Sequence, residues 1–150
     1  MSPTTGLLAR LPPDHRERLR DLGREVAFPI EAEIFAEGGT ADRFWIIRTG
    51  SVTLCVNVPG RRVPIETLGH GELLGWSWLF PPYVWHLGAV TGSPVRALEF
   101  DAGEVRELCR QDSVLGLALT HACAEAISQR LQEARARLAD AYRAGAAPVW

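Results

Sequence analysis

The stretch from Leu68 to Val90 reads LGHGELLGWSWLFPPYVWHLGAV and lies near the middle of the chain. It contains three of the five Trp residues, two of the four His residues and four Gly residues. Glycine at that density marks backbone that turns sharply or closely approaches another group. Aromatic side chains packed this densely form either a small core or the wall of a pocket. The sequence before this stretch has the pattern of short strands, and the sequence after Asp101 has the pattern of helices.

The residues before the stretch predict a short helix and then a series of strands. The helix opens at Leu11, has Pro12 and Pro13 at its first positions, and ends at Gly23. Strands are predicted at residues 26–30, 33–35, 44–47, 51–58, 62–68, 72–74, 85–90 and 95–100. Short strands separated by Gly-rich turns are typical of antiparallel sandwiches and jelly rolls. We therefore predict a mainly β fold, an antiparallel double-stranded β-helix, with an N-terminal helix and a long C-terminal helix.

Two aspartates predict where the helices after the last strand begin. Asp101 is followed by Glu104, the spacing of a helix N-cap, and this helix is expected to run to about Arg110. Asp112 offers a second cap for a long helix that reaches about Ala144. The predicted organisation is a helical lead at 1–23, a jelly roll at 24–100, helices at 101–144 and a loose tail at 145–150.

The long helix carries a heptad repeat of apolar and small residues. One set of positions holds Leu117, Ala124, Leu131 and Leu138, and the other holds Thr120, Ile127, Ala134 and Ala141. Repeats of this kind favour contact between two helices. A helix of roughly 30 residues is about 45 Å long, longer than a small barrel, so we predict a homodimer formed by a parallel helix pair. The alternative is that the repeat packs on the chain's own barrel.

Composition limits the function classes that remain. The formal net charge is -2, so the chain lacks the excess of basic residues that nucleic-acid binding requires. No apolar run approaches the roughly 18 residues needed to span a membrane, and the first residues do not resemble a signal peptide, so we expect a cytoplasmic protein without membrane contact. The three Cys residues form no CxxC pair, which predicts a reducing compartment and no metal site.

Two further strings carry a resemblance to a known family. Residues 35–52, FAEGGTADRFWIIRTGSV, resemble the loop and strand that precede a paired Gly turn in the cyclic nucleotide-binding domain. Residues 68–75, LGHGELLG, resemble the run that leads into its phosphate-binding cassette. This domain is the sensor module of the catabolite activator protein and of kinase regulatory subunits. The resemblance covers about Leu7 to Arg143, and residues 75–83, GWSWLFPPY, are similar to a subset of bacterial members.

The two side chains with which this family binds its ligand are replaced in the chain. The family has a Glu directly after the Gly aligned with Gly75 and an Arg about ten residues later, and here Trp76 and His86 stand at these positions. A buried phosphate without a cationic partner is costly. A His of reference pKa ~6.5 is mostly neutral at neutral pH, and the nearest other cation in sequence is Arg96. We therefore expect the usual contacts to cAMP or cGMP to be replaced.

The segment that takes the place of the family's cassette begins at Gly75 and is called the cassette below. The candidate ligand-binding residues lie in and just after it. They are Gly75, Trp76, Ser77, Trp78, Tyr83, Trp85, His86, Leu87, Gly88 and Ala89. The Trp side chains either fill the pocket as core or stack on a planar ligand. His86 is expected as a hydrogen-bonded core residue, with contact to an anion or hydroxyl as the alternative. We expect Ser77 to cap a short helix begun at Trp76, with Pro81 and Pro82 ending it and the Tyr83 hydroxyl in the pocket.

Three hypotheses about function follow. The first is a regulatory sensor that binds a small, nucleotide-like ligand in the aromatic cassette and signals through the long helix. The second is a domain without a ligand that acts as a dimerisation or protein-docking module. The third, a metal-dependent enzyme of the cupin type, lacks the expected His-x-His pair, and no Ser/His/Asp or Cys/His arrangement is present, so we predict no enzyme activity. DNA-binding relatives need about 60 further residues for a helix-turn-helix, so direct nucleic-acid contact is not expected.

Overall fold

The computed structural model describes residues 6–145. These residues form three α-helices and eight strands. The helices are α1 (Pro13–Leu22), α2 (Ala102–Gln111) and α3 (Ser113–Arg143), and the strands are β1 (Arg24–Phe28), β2 (Glu33–Phe35), β3 (Arg43–Thr49), β4 (Val52–Val58), β5 (Arg61–Leu68), β6 (Leu73–Leu74), β7 (Gly88–Thr91) and β8 (Val95–Asp101). The prediction of a mainly β fold with an N-terminal helix and a long C-terminal helix is confirmed. Of the predicted tail, residues 146–150 lie outside the described residues, as do residues 1–5 of the predicted lead.

The strands form two four-stranded antiparallel sheets. The first sheet has the order β1-β8-β3-β6, and the second has the order β2-β7-β4-β5. Consecutive strands β3 and β4 lie in different sheets, as do β5 and β6, so the chain crosses repeatedly between the two layers. This arrangement is that of the predicted jelly roll.

Strand β3 shows why the first sheet has two apolar faces. Phe44 and Ile46 point toward the helices, whereas Trp45 and Ile47 point into the barrel. All four side chains are buried, so the sequence here is a continuous apolar run rather than an alternating one. The helices therefore pack on the outer face of the first sheet and cover a core separate from the barrel interior.

Both predicted helix caps are present. The Asp101 carboxylate accepts a hydrogen bond from the Glu104 backbone N–H at 3.0 Å, and the Asp112 carboxylate accepts one from the Leu115 backbone N–H at 3.1 Å. The first helix begins at Pro13 and not at the predicted Leu11, because the backbone is extended at Leu11 and Pro12, with ψ angles of 145° and 148°. None of the helices within residues 6–145 is long and apolar enough to cross a membrane.

Helix α3 packs on the barrel with the face opposite to its heptad repeat. Leu115, Leu119 and Cys123 are fully buried, and the last two pack against the other helices and the first sheet. Leu117 of the repeat is 74% exposed and Leu131 is 49% exposed. The alternative in which the repeat packs on the chain's own barrel is therefore wrong, because the barrel contact uses a different stripe of the same helix. The repeat is exposed except at Ile127 and Ala141, which are half-buried.

Candidate functional site

The run before the cassette is a tight turn that Glu72 closes. The Glu72 carboxylate accepts a hydrogen bond from the Gly69 backbone N–H at 2.6 Å, and Gly71 has a positive φ of 78°. The Gly71 backbone N–H donates to the Ile47 carbonyl at 2.7 Å, which joins the turn to β3. Glu72 therefore stabilises the turn instead of replacing the acid that the family places after Gly75.

Gly75 follows β6 at a point where a side chain has no room. Its φ is 91°, a conformation that favours glycine, and a Cβ atom there would lie 2.7 Å from the indole ring of Trp85. Trp85 is only 5% exposed, and its ring stacks on Phe35 with centroids 4.0 Å apart. The Trp85 indole thus fills the interior of the barrel beside the cassette.

The backbone on either side of Trp85 is anchored to the loop after β2. The Trp85 N–H donates to the Gly39 carbonyl at 2.9 Å, and the Gly38 N–H donates to the Trp85 carbonyl at 2.8 Å. The strand predicted to begin at Trp85 therefore begins later, at Gly88, because this residue pairs with a loop and not with β4. Trp85 is a core residue, the first of the two alternatives for the cassette tryptophans.

Trp78 faces the helices, whereas Tyr83 packs against the edge of the barrel core and contacts α2. The Trp78 ring is buried and stacks on Phe44 with centroids 4.5 Å apart. Arg106 of α2 donates to the Trp78 carbonyl at 2.7 Å, and its guanidinium lies 4.7 Å from the centre of the Tyr83 ring. These contacts fix the cassette to α2, and the Trp78 ring lies in the helix-side core and not in the barrel interior.

The short helix of the cassette is a single 3-10 turn, Ser77–Leu79, with Trp76 as its N-cap residue. No side chain caps this turn, so the prediction that Ser77 forms the cap is wrong. One turn leaves Ser77 inside the turn and buried, where its hydroxyl is not placed to accept the first N–H groups. The turn ends before Pro81 and Pro82, as their inability to continue a helix predicts.

A small cavity lies between the cassette, the second sheet and α3. Its volume is about 40 Å³, far below the roughly 300–1,000 Å³ of ordinary ligand pockets. The lining residues are Phe35, Leu54, Gly75, Trp76, Ser77, Trp85, His86, Leu87 and Arg130. Six of the predicted ligand-binding residues line this cavity, whereas Trp78, Tyr83, Gly88 and Ala89 do not. Gly88 and Ala89 lie in β7, where they pair with β4.

Trp76 and His86 form the outer wall of this cavity. Their ring centroids are 6.1 Å apart with an interplanar angle of 30°, and the Trp76 ring also meets Phe80 edge-on. His86 is exposed, so its prediction as a core residue is wrong: the ring covers the outer side of Trp76 instead of entering the barrel. Trp76 and His86, which replace the family's Glu and Arg, therefore lie side by side at the mouth of the cavity.

Sequence reasoning missed Arg130, which brings a permanent cation to the cavity from α3. Its guanidinium donates a hydrogen bond to the carbonyl of Leu73 in β6, directly before the cassette. Burial lowers the pKa of the Arg130 guanidinium, and the carboxylates of Glu66, Glu72 and Glu133 oppose that shift. Arg96, the nearest cation in sequence, is exposed and lines a different groove.

The helix pattern contains a signal that identifies Arg130. The buried residues of α3 recur at spacings of three and four, and the same stripe continues through Ala126 to Arg130. An arginine in the extension of an apolar stripe is expected to reach along the barrel surface, because its aliphatic stem packs there while the guanidinium seeks an acceptor.

The titratable groups near the cavity include one shifted acid. Burial raises the pKa of the Glu66 carboxyl, and Arg130 and Arg137 oppose the rise. Within residues 6–145, no group of three or more His, Cys, Asp or Glu side chains is placed to hold a metal ion.

Together, these features define a jelly-roll domain whose cassette is covered by a C-terminal helix. Residues 25–112 match the cyclic nucleotide-binding domain family. The chain belongs to this family.

Solved structures support the same assignment. A protein from Geobacter metallireducens GS-15, described as a cyclic nucleotide-binding protein, is 26% identical with a TM-score of 0.74, over 83% of this chain and 91% of that one. The N-terminal domain of a transcriptional regulator from Streptomyces coelicolor A3(2) is 24% identical with a TM-score of 0.70, over 85% of this chain and 91% of that one. The catabolite activator protein of Thermus thermophilus is 23% identical with a TM-score of 0.72, over 88% of this chain and 61% of that one. A comparison with curated protein sequences gives no match.

Proposed function

We propose that the chain is a non-enzymatic regulatory sensor that binds a small nucleotide-like ligand at the cassette cavity and signals through α3. The observation that carries this proposal is the position of Arg130. One side chain of α3 lines the cavity and also bonds the strand that leads into the cassette. A ligand that draws this guanidinium toward itself therefore acts directly on the helix–barrel contact.

The chemistry of the cavity favours a ligand with a planar ring and a negative charge. Trp76 and His86 present aromatic rings at the mouth, where a base can stack. Arg130 supplies the positive charge that the family normally takes from its cassette, and guanidinium groups match phosphate oxygens in geometry. Because Trp76 and His86 form the outer wall and His86 is exposed, they are the side chains that must move to admit a ligand.

Signalling follows if the ligand prefers one position of α3. Arg130 donates to Leu73 in this structure, which holds the helix against the barrel. A ligand that captures Arg130 removes that bond and changes the relative free energies of two helix positions. We further propose that α3 forms a homodimer through its exposed heptad repeat, so that a change in helix position reaches a second subunit.

The second candidate function is a domain without a ligand that serves as a dimerisation or docking module. The observation that favours it is the buried Trp85, which leaves a cavity of only about 40 Å³. A cavity of that volume holds at most a few water molecules.

Calorimetric titration and Trp fluorescence separate the two candidates. The wild-type protein is titrated with cAMP, cGMP and cyclic dinucleotides, beside the Arg130→Gln variant and a control, Arg135→Gln, which removes an exposed arginine from the same helix. We expect saturable binding of one nucleotide class, and affinity lower by about tenfold or more in Arg130→Gln, the effect of losing a charged hydrogen bond. The Arg135→Gln control should bind as the wild type does. Absence of binding by every nucleotide at millimolar concentration would leave the ligand-free module.

A further inference from the structure

A second and larger cavity lies between the N-terminal residues and the outer face of the first sheet. Its volume is about 330 Å³, within the range of ordinary ligand pockets and well above that of the cassette cavity. We call it the basic groove. Its apolar lining includes Leu8 from the N-terminal 3-10 turn, and Ile46 and Leu98, which are paired across β3 and β8.

The polar lining of the basic groove is cationic. Arg16 and Arg20 of α1 and Arg48 near the end of β3 supply the cations, His70 of the turn between β5 and β6 also lines the groove, and no Asp or Glu is among its described lining residues. The whole chain has a formal net charge of -2, so this concentration of arginine runs against the overall balance. Cations around an apolar floor without interspersed acids raise the local concentration of anions.

Two of these arginines are already held in place. Arg16 donates to the Leu8 carbonyl at 2.9 Å and to the Leu11 carbonyl at 3.0 Å. A guanidinium has five N–H donors, so further N–H groups of Arg16 remain for another acceptor. Arg48 forms an ion pair with Glu25 at 3.5 Å, but both side chains are at least half exposed, and such pairs are weak enough for a bound anion to replace.

We propose that the basic groove binds a small amphipathic organic anion, with an apolar body on the partly exposed Leu8 and the exposed Ala9, above the buried Ile46 and Leu98, and a carboxylate-like head group between the arginines. The apolar floor explains why a free inorganic anion is not the best fit, since it would leave that surface wetted. Because of the arginines, an anion is preferred over a cationic or neutral amphiphile of the same shape. The two cavities share no lining residue.

Octanoate is a suitable probe of this chemistry, and octyltrimethylammonium and 1-octanol are its cationic and neutral counterparts. Binding is measured by calorimetry on the wild-type chain and on a double variant, Arg20→Gln with Arg48→Gln. Both residues are exposed, so the fold should persist, which circular dichroism checks. The matched control, Arg61→Gln with Arg110→Gln, removes the same charge from exposed positions outside the groove.

We expect octanoate to bind wild type at one saturable site and to bind the double variant about tenfold more weakly, the combined effect of two exposed ion pairs. The control pair and Arg130→Gln should bind octanoate as wild type does, which separates this site from the cassette. Equal binding of octanoate by wild type and the double variant would overturn the proposal. Equal binding of octyltrimethylammonium and octanoate by wild type would overturn it as well.

Discussion

Replacing Gly75 with alanine tests whether Trp85 fills the cassette side of the barrel. The positive φ of 91° at this glycine makes any L-residue strained, and the new Cβ would lie 2.7 Å from the Trp85 ring. Gly60 offers a matched control, because its φ is 84° and nothing lies within 4 Å of the position that a Cβ atom would take there. The two substitutions therefore share the backbone strain and differ in the clash.

The expected magnitudes follow from these two contributions. A non-glycine residue in the left-handed region costs about 1–2 kcal/mol, which is the whole effect expected for Gly60→Ala. Forcing an extra methyl into a packed core adds typically about 1–3 kcal/mol. The Trp85 ring is stacked on Phe35 and its backbone is bonded on both sides, so it has little room to move away. Gly75→Ala should therefore destabilise the fold by about 2–5 kcal/mol.

Urea denaturation at one fixed protein concentration measures both costs, since a dimer makes stability depend on concentration. A double-mutant cycle with Trp85→Leu then isolates the contact, because the smaller side chain removes the ring that the new methyl meets. In the Trp85→Leu background, the cost of Gly75→Ala should fall to that of Gly60→Ala. Equal costs for Gly75→Ala and Gly60→Ala in the otherwise wild-type chain would refute the packing described for Trp85, as would an undiminished cost in the Trp85→Leu background.

Three further predictions concern the helices. Leu131→Asp should convert a dimer into a monomer in sedimentation at tens of micromolar, whereas Ala136→Asp, an exposed position on the opposite side of the heptad repeat, should leave the dimer intact; a monomeric wild type would rule out the proposed interface. Burial raises the pKa of the Cys123 thiol to about 12, so it stays protonated and should resist iodoacetamide at pH 8 until urea unfolds the chain, with Cys109 labelled sooner in mass spectrometry. The hydrogen bond from the Leu115 N–H lowers the pKa of the Asp112 carboxyl, so its stabilising charge is present above the ordinary value of 3.8 and lost as the pH falls; the stability advantage of wild type over Asp112→Asn in urea should therefore shrink below pH 3.8, and a constant difference would contradict this.

The elements that sequence predicted well depend on local chemistry. The caps at Asp101 and Asp112 follow from a carboxylate placed before free backbone N–H groups, and the structure has both bonds. The extent of β7 could not be predicted in this way. Residues 85–87 suit a strand as well as the residues of β7 do. Only the tertiary pairing of Trp85 with Gly38 and Gly39 delays the start of the strand to Gly88.

The cassette shows a different limit of sequence reasoning. The positions of Trp76 and His86 were predicted from the resemblance, but the prediction that His86 is a core residue was wrong, because burial depends on which ring enters the barrel first. Trp85 takes that space, so His86 remains outside on Trp76. Competition among several aromatic side chains for one interior volume is decided by packing and not by the order of residues.

Arg130 changes what the loss of the family's cassette Glu and Arg means. Taken alone, Trp76 and His86 indicate a cassette that has lost its charge. With Arg130 lining the same cavity, the cation belongs instead to α3, the helix that carries the heptad repeat. If this cation holds the ligand as we propose, ligand binding and helix position share one side chain. Linkage then requires reciprocity. The ratio of the ligand affinities of the two helix positions equals the factor by which bound ligand shifts the equilibrium between those positions. A cassette Arg would impose no such direct dependence, because it would stay with the barrel when the helix moves.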